Sequence, residues 1–229
     1  MTTQQEQFWQ GQFGADYTER NNYDPAAFDA FYQQIYGVAR STMNDEFLSP
    51  ISPPKKGEIK EGVSKEQWNI LEVGCNVGNQ LNLLQQQGYK NLYGIEIMEY
   101  AVERAKQLTK GINIVQGSAF DLPFKNNYFD LVFTSGVLIH IHPDDVKKAM
   151  AEIVRVSKKY IWGFEYFAET LTEIKYRDHQ DRLWKTNFSN LYLDLFPVLA
   201  LVKEKKYPYA ANARQVDAMF LLEKSSTSP

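Results

Sequence analysis

The stretch WNILEVGCNVGN, residues 68–79, decides the fold. Ile70, Leu71 and Val73 make an apolar strand that stops at Gly74. A short loop of Cys75, Asn76, Val77 and Gly78 follows, and Leu81, Leu83 and Leu84 then open a helix. Strand, glycine-bearing turn and helix in this order bring backbone N–H groups and a helix N-terminus close to a nucleotide-like ligand. Gly74 and Gly78 adopt positive φ without a Cβ penalty, and Asn76 is among the few other residues that tolerate it. A dinucleotide-binding turn has G-x-G-x-x-G, whereas this chain has Gly74-x-Asn76-x-Gly78 with Asn79 at the place of a small residue. Taken alone, the same residues also suit an ordinary strand-to-helix turn of an α/β protein.

Downstream of this turn the chain alternates. The helix from residue 79 to about 87 ends at Gly88, a residue suited to a left-handed cap. Strand 91–97, helix 99–109, strand 111–116, strand 130–133, helix 143–156 and strand 159–166 follow in turn. Apolar strands separated by crossover helices predict a Rossmann-like, doubly wound, mostly parallel sheet between helical layers. Residues 198–207 and 214–223 break the alternation. They read as two strands joined by a short loop and therefore as an antiparallel C-terminal hairpin.

Upstream, residues 1–46 are polar and aromatic. Phe8, Trp9, Phe13 and Tyr17 recur at near-helical spacing, interrupted by Gly11 and Gly14. Asp24-Pro25 is an N-cap and first-turn pair. It introduces one amphipathic helix through Phe28, Phe31, Tyr32, Ile35, Tyr36 and Val38 to about Asn44. Phe28, Phe31 and Ile35 suit packing on the sheet. Tyr17, Arg20 and Asn21 fall where a loop would join the two helices, as cover for the sheet or as a lid over a ligand. Residues 47–66 hold three prolines among glycines and charges and read as a surface insertion, leaving 67–229 as the core domain.

Composition limits the function classes. At 229 residues and 44% hydrophobic content the chain buries one sizeable core. Lys and Arg total 25 against 28 Asp and Glu, a net charge of −3, which gives no bias towards nucleic acid or an anionic membrane. The single cysteine, Cys75, excludes an intrachain disulfide and a cysteine zinc cluster. No signal peptide or membrane span is read, and a cytoplasmic protein is expected. The oligomeric state stays open.

Glu96 ends the second strand some twenty residues beyond Gly74, with Ile97 next to it. At that point of a doubly wound sheet a carboxylate accepts hydrogen bonds from ribose hydroxyls. The alternative is a solvated glutamate, disfavoured by its place at the end of an apolar strand. The turn Glu72-x-Gly74-x-Asn76-x-Gly78 resembles the acidic-x-Gly-x-Gly-x-Gly turn of S-adenosylmethionine (SAM) methyltransferases, with Asn76 in place of the middle glycine. An antiparallel C-terminal hairpin is likewise a feature of those enzymes and is unusual in nicotinamide dehydrogenases. GSAFDLPF, residues 117–124, resembles their segment along the adenine, where an acidic residue often takes the adenine amino group; here Ser118 stands at that place, beside Ala119 and Phe120. TSGVLIHIHPDD, residues 134–145, matches their segment beside the methyl group. The resemblance implies that Ser135, Gly136 and Val137 face the cofactor and that His140 corresponds to the family histidine. His142, before Pro143, starts the following helix. The pair of histidines has no third partner for a metal, and none is expected.

FWQGQFGADYTERN, ILEVGCNVG, SAFDLPF, SGVLIHIHPDD and EYF…IKYRDHQDRLWKTNF together resemble the methylases associated with pseudaminic acid biosynthesis. The resemblance spans nearly all of the chain from Phe8 onward and implies a SAM-dependent methyltransferase of a small, sugar-derived metabolite. Cofactor contacts are expected from Gly74, Cys75, Asn76, Gly78, Glu96 and Ile97, with Tyr17 over the sulfonium and Arg20 on the methionine carboxylate. The acceptor is expected to be small and anionic, methylated on O or N by in-line displacement. It is expected beyond the fifth strand, where Glu165 and Tyr166 stand at a carboxyl end. The polar stretch 172–184 gathers Tyr176, Arg177, His179, Arg182 and Trp184. Arg177 and Arg182 suit an anion, and His179, Tyr176, Arg177 and His140 are the candidate catalytic residues. The competing reading of this stretch is a solvated helix with an Asp178–Arg182 pair. The rival functions are a NAD-dependent oxidoreductase and a non-catalytic SAM- or nucleotide-binding module.

Overall fold

The computed structural model describes residues 2–51 and 64–225. Its centre is β1 (Asn69–Val73), whose residues from Ile70 onward are buried on both faces. β1 pairs in parallel with β2 (Asn91–Glu96) on one side and β4 (Phe129–Ser135) on the other. β3 (Asn113–Gln116) and β5 (Ser157–Tyr166) extend the parallel sheet. β9 (Asn212–Lys224) runs antiparallel to β5, and β8 (Leu199–Tyr209) antiparallel to β9. The order β3-β2-β1-β4-β5-β9-β8 is thus a doubly wound sheet with a reversed final hairpin, as the alternation of the sequence implies.

Successive side chains of a strand point to opposite faces, and the two cores divide accordingly. Ile70 packs on one face with Leu81 and Leu84 of α5 (Asn79–Gln86) and Val102 and Ala105 of α6 (Glu99–Leu108). Leu71 and Val73 pack on the other with Met150 and Ile153 of α7 (Pro143–Val156) and Tyr192 of α8 (Phe188–Leu195). His142 caps α7, its Nδ1 accepting from the Asp144 N–H at 3.2 Å.

The N-terminal region departs from the sequence reading in three ways. The first helical stretch is broken at Gly11 into α1 (Gln4–Gln10) and α2 (Gln12–Arg20), so Tyr17 and Arg20 lie on a helix rather than in a connecting loop. The single helix expected to reach Asn44 is α3 (Pro25–Tyr36) and α4 (Arg40–Leu48), separated by Gly37 at φ 72°. A left-handed residue ends a helix, and glycine adopts that conformation without strain. Phe47 and Leu48, read as the start of a surface insertion, close α4 and are buried. Residues 52–63 of that insertion lie outside the described residues.

The stretch 172–184 is not helical, and only its end, Leu183 and Trp184, is buried. Thr172–Glu173 and Trp184–Lys185 form a two-stranded ribbon, β6 and β7. Tyr176 and His179 exchange backbone hydrogen bonds at 2.8 and 2.9 Å around a turn in which Arg177 and Asp178 both have positive φ. The Asp178–Arg182 helical pair has no helix to form on, and Asp178 meets Lys175 instead at 2.9 Å. The sequence reading also passed over α8, a short apolar run capped by the Asn187 side chain.

Candidate functional site

Beyond the carboxyl ends of the first strands lies a cavity of about 250 Å³, closed from above by α1 and α2. Its floor is the turn of residues 74–78. Gly74, Asn76 and Gly78 have φ of 74°, 46° and 81°, the left-handed values their side chains permit. A Cβ at Gly74 would lie 2.6 Å from Cγ2 of Val137, so glycine is also what lets the loops after β1 and β4 approach. Cys75 lines the cavity from the same turn, and its thiol is pushed up by burial.

Glu96 stands at the end of β2. Its Oε2 accepts from the Asn76 N–H at 2.9 Å and its Oε1 from the Met98 N–H at 3.0 Å, which fixes the carboxylate beside the turn. Burial raises its affinity for a proton, opposed by these backbone donors. Ile97 follows on the cavity wall, and its carbonyl accepts from Gln10 on α1 at 3.4 Å. Ser118, Ala119 and Phe120 line the wall after β3, and Ser135, Gly136 and Val137 the wall after β4.

The lid packs by rings and two polar clasps. Trp9 lies edge-on to Tyr17 (5.2 Å) and to His140 (4.7 Å). A side chain at Gly14 would strike the Trp9 carbonyl oxygen at 1.9 Å and Met98 Sδ at 3.0 Å, so the α1–α2 pair nests here only on a glycine. Ser118 donates to Glu6 at 2.6 Å, and Asn79 donates to the carbonyl of Asn21 at 2.6 Å. Tyr17 lines the cavity, and burial raises its phenol well above the ordinary range.

Three buried polar atoms of the lining residues have no partner in the protein: Glu72 Oε2, Asn76 Oδ1 and Trp9 Nε1. Unpaired buried polar groups are costly, and in a cavity a ligand offsets that cost. The charged lining residues are Glu6, Glu72 and Glu96; among the described residues no lysine or arginine lines the cavity. Glu72 is held above the ordinary carboxyl range by burial, relieved in part by the buried Arg40 behind it. Such a site suits a ligand carrying positive charge, hydroxyl and amino donors and a carbonyl or carboxylate for the tryptophan N–H. The sulfonium, ammonium and ribose hydroxyls of SAM meet that description. Glu96 would hold its ribose, and Glu72, Asn76 and Gly78 its methionine end.

A family model described as a methyltransferase domain matches residues 71–160, which run from β1 into β5 and include the turn, Glu96, Ser118 and His140. That part of the chain is therefore similar to a methyltransferase domain. Its curated relatives include 24-methylenesterol C-methyltransferase 3 of Arabidopsis thaliana, 28% identical over 174 residues covering 69% of this chain and 47% of that protein. Norajmaline N-methyltransferase of Rauvolfia serpentina is 28% identical over 148 residues, covering 62% and 47%. The chain thus spans about half the length of the curated relatives it matches. Among solved structures, 1,6-didemethyltoxoflavin-N1-methyltransferase of Burkholderia thailandensis, with its substrate and S-adenosylhomocysteine bound, superimposes with a TM-score of 0.60. It is 15% identical over 81% of this chain and 76% of its own, a likeness of fold.

The cavity does not gather every residue expected at the site. Arg20 is exposed on α2 and does not line the cavity. Glu165 is buried beneath it, its oxygens accepting from the Val137 and Ile139 N–H groups at 3.2 and 3.5 Å. It therefore holds the loop after β4 and touches no ligand space. Tyr166 is half-buried with Lys185 over its ring at 5.2 Å, also away from the lining. Arg177 and His179 are exposed. His179 and Arg182 instead pack on Phe8 of the lid at 5.0 and 4.9 Å, and Tyr176 packs on Phe13 and His140 at 5.7 and 5.0 Å. Of the four candidate catalytic residues, His140 is the one in the lining among the described residues. Glu6 and Trp9 were not singled out for the site. Glu6 reads in sequence only as the third residue of a Thr3-x-x-Glu6 capping box, which both of its hydrogen bonds with Thr3 complete.

Among the described residues no three His, Cys, Asp or Glu side chains are grouped for a metal ion, and no helix is long and apolar enough to cross a membrane.

Proposed function

We propose that the chain transfers the methyl group of SAM to an oxygen or nitrogen of a small molecule by in-line displacement, and that the part of the acceptor inside the cavity is uncharged. The observation that carries this reading is the chemistry of the lining: three acidic side chains, aromatic rings and, among the described residues, no guanidinium or ammonium. Carboxylates and ring faces favour the cationic cofactor and disfavour an anion beside it. The anionic acceptor expected from the sequence draws no support from the lining, because Arg177, His179 and Arg182 are not among the lining residues. An anionic group fits only if it projects past the lid towards them. The names of the relatives, which concern a sterol and an alkaloid, favour the same class of uncharged or weakly basic acceptor.

SAM supplies an electrophilic methyl group, so the protein chiefly positions the acceptor and excludes water. Trp9, Tyr17 and Gly14 of the lid exclude it from above. His140 is kept neutral by burial, its pKa lowered to about 4, and as a weak base it is suited to take the proton of a hydroxyl acceptor once methyl transfer has begun to charge the oxygen.

The test is calorimetry with S-adenosylhomocysteine, followed by transfer of labelled methyl from SAM to a panel of amines, phenols and matched carboxylates or phosphates. Binding together with transfer to the uncharged acceptors is the expected result. Tight NAD binding would sink the cofactor, and transfer confined to anionic acceptors would sink the acceptor class. Binding without transfer to any of the panel would favour a non-catalytic SAM-binding module.

A further inference from the structure

The loop after β3 carries a polar contact that the lid's own architecture does not require. Ser118 Oγ donates to Glu6 Oε1 at 2.6 Å across 112 residues of chain, and accepts from the Phe120 N–H at 3.1 Å. The hydroxyl's single proton is therefore committed to the lid, and one of its lone pairs to its own loop. Glu6 receives two donors, Ser118 on Oε1 and the Thr3 N–H on Oε2 at 2.7 Å. A carboxylate has about four acceptor positions, so Glu6 keeps unused acceptor capacity on the cavity wall.

We propose that Glu6, delivered by the lid helix and held by Ser118, reads the adenine amino group of the cofactor. The inference rests on the SAM reading above. With the ribose on Glu96 at the end of β2 and the methionine end on the β1–α5 turn, the base must lie on the ribose's other side. In the order β3-β2-β1 that side is the end of β3, where Ser118, Ala119 and Phe120 stand. An exocyclic amino group is a pure donor and needs an acceptor without a competing proton. Ser118 has committed its proton to the lid, whereas the Glu6 carboxylate keeps acceptor capacity, and hydrogen bonds to carboxylates are the stronger kind.

The plain alternative is that Glu6 is only the partner of Thr3 in the capping box. Glutamine serves that box equally well, because its carbonyl oxygen takes the N-cap N–H. That equivalence supplies the test. In Glu6→Gln the cap is retained, but the second atom of the group becomes an NH₂ donor. The probes are S-adenosylhomocysteine and S-inosylhomocysteine, which differ at the base in an amino donor against a keto acceptor. Calorimetry on the full chain should give wild type a preference for the adenosyl compound of roughly tenfold or more, the scale of one charge-assisted hydrogen bond. Glu6→Gln should abolish or reverse that preference while the Tm stays near that of wild type. Ser118→Ala should bind both compounds more weakly yet keep the preference, since the reader remains. Wild-type preference surviving in Glu6→Gln would overturn the proposal, as would its loss in Ser118→Ala alone, which would make Ser118 the reader. If Glu6→Gln does not fold, the Ser118→Ala result decides. Failure of wild type to bind either compound is a different outcome: it removes the SAM reading, and this inference with it.

Discussion

His140 donates its Nδ1–H to the carbonyl oxygen of Arg182 at 2.8 Å, tying the loop after β4 to the ribbon that follows β5. A carbonyl only accepts, so the neutral ring keeps its proton on Nδ1 and its lone pair on Nε2. The same bond sets the orientation of the one expected catalytic side chain that reaches the cavity lining among the described residues.

From this follows a pH profile. Burial lowers the His140 pKa to about 4, so the neutral ring persists throughout the neutral and mildly acidic range. The profile of kcat/KM should stay level from pH 8 to about 5 and fall only towards 4. His140→Ala should lower kcat/KM by about a hundredfold, the usual scale of a positioned base. An acid limb near the ordinary histidine value, unchanged in the variant, would assign it to another group.

Gly74→Ala should damage stability and cofactor binding together. The residue has φ 74°, and a Cβ there meets Val137 at 2.6 Å. Left-handed strain and the clash each cost about 1–3 kcal/mol. Adding Val137→Ala should recover the clash but not the strain. Thermal melts and S-adenosylhomocysteine titrations of the single and double variants measure both; full rescue by Val137→Ala would mean that the backbone angle carries no cost.

Stability should rise on mild acidification. Burial raises Glu165 to about 7 and Asp217 to about 6, the latter opposed by hydrogen bonds from Tyr36 and Tyr209. Between its ordinary value and its folded value, each carboxyl holds a proton in the folded chain that the unfolded chain has released. Stability is therefore greatest below that window and is lost as pH rises through it, on the order of 2 kcal/mol for each group. His140, lowered in the fold, acts oppositely: its contribution is present above the ordinary histidine value and is lost as pH falls towards 4. The two carboxyls outweigh it, so the Tm should be higher at pH 5.5 than at pH 8. Glu165→Gln should flatten the difference; an unchanged slope would mean that Glu165 is already ionised at pH 5.5.

The basic residues of the turn at 177–182 should affect the lid's motion rather than the chemistry. His179→Ala and Arg182→Ala remove packing on Phe8, and hydrogen exchange across residues 4–20 should quicken in both. Arg177→Ala, at an exposed turn, should leave exchange and kcat/KM within about twofold, as for most surface substitutions. Cofactor should slow exchange in the same segment. A large loss of kcat/KM in Arg177→Ala would restore an anion-binding role to this stretch.

The strands, the reversed terminal hairpin and the turn at Gly74 were legible because they are local: strand period, glycine placement and an acidic residue one strand later. The placement of Glu165 was legible only in part. A carboxylate at a strand end reads alike whether it meets a ligand or caps the neighbouring loop, and the Val137 and Ile139 N–H groups that claim it lie 28 and 26 residues away. Arg177 and His179 misled for a related reason. Their side-chain chemistry suits an anion, but the positive φ of Arg177 and Asp178 turns the segment back over the lid. Neither arginine nor aspartate announces that conformation in sequence. Glu6 was hidden by the opposite effect, since a complete local explanation as a cap concealed a partner 112 residues on.

The lid is written at the beginning of the chain, yet what it rests on comes late: Ser118, His140, Tyr176 and His179. A seven-residue helix such as α1 does not persist alone in water. The lid helices therefore draw their stability from these contacts rather than from themselves. Opening of the lid alone would uncover the binding chamber while the sheet beneath it stays folded, so closure of the chamber has a stability of its own, below that of the fold.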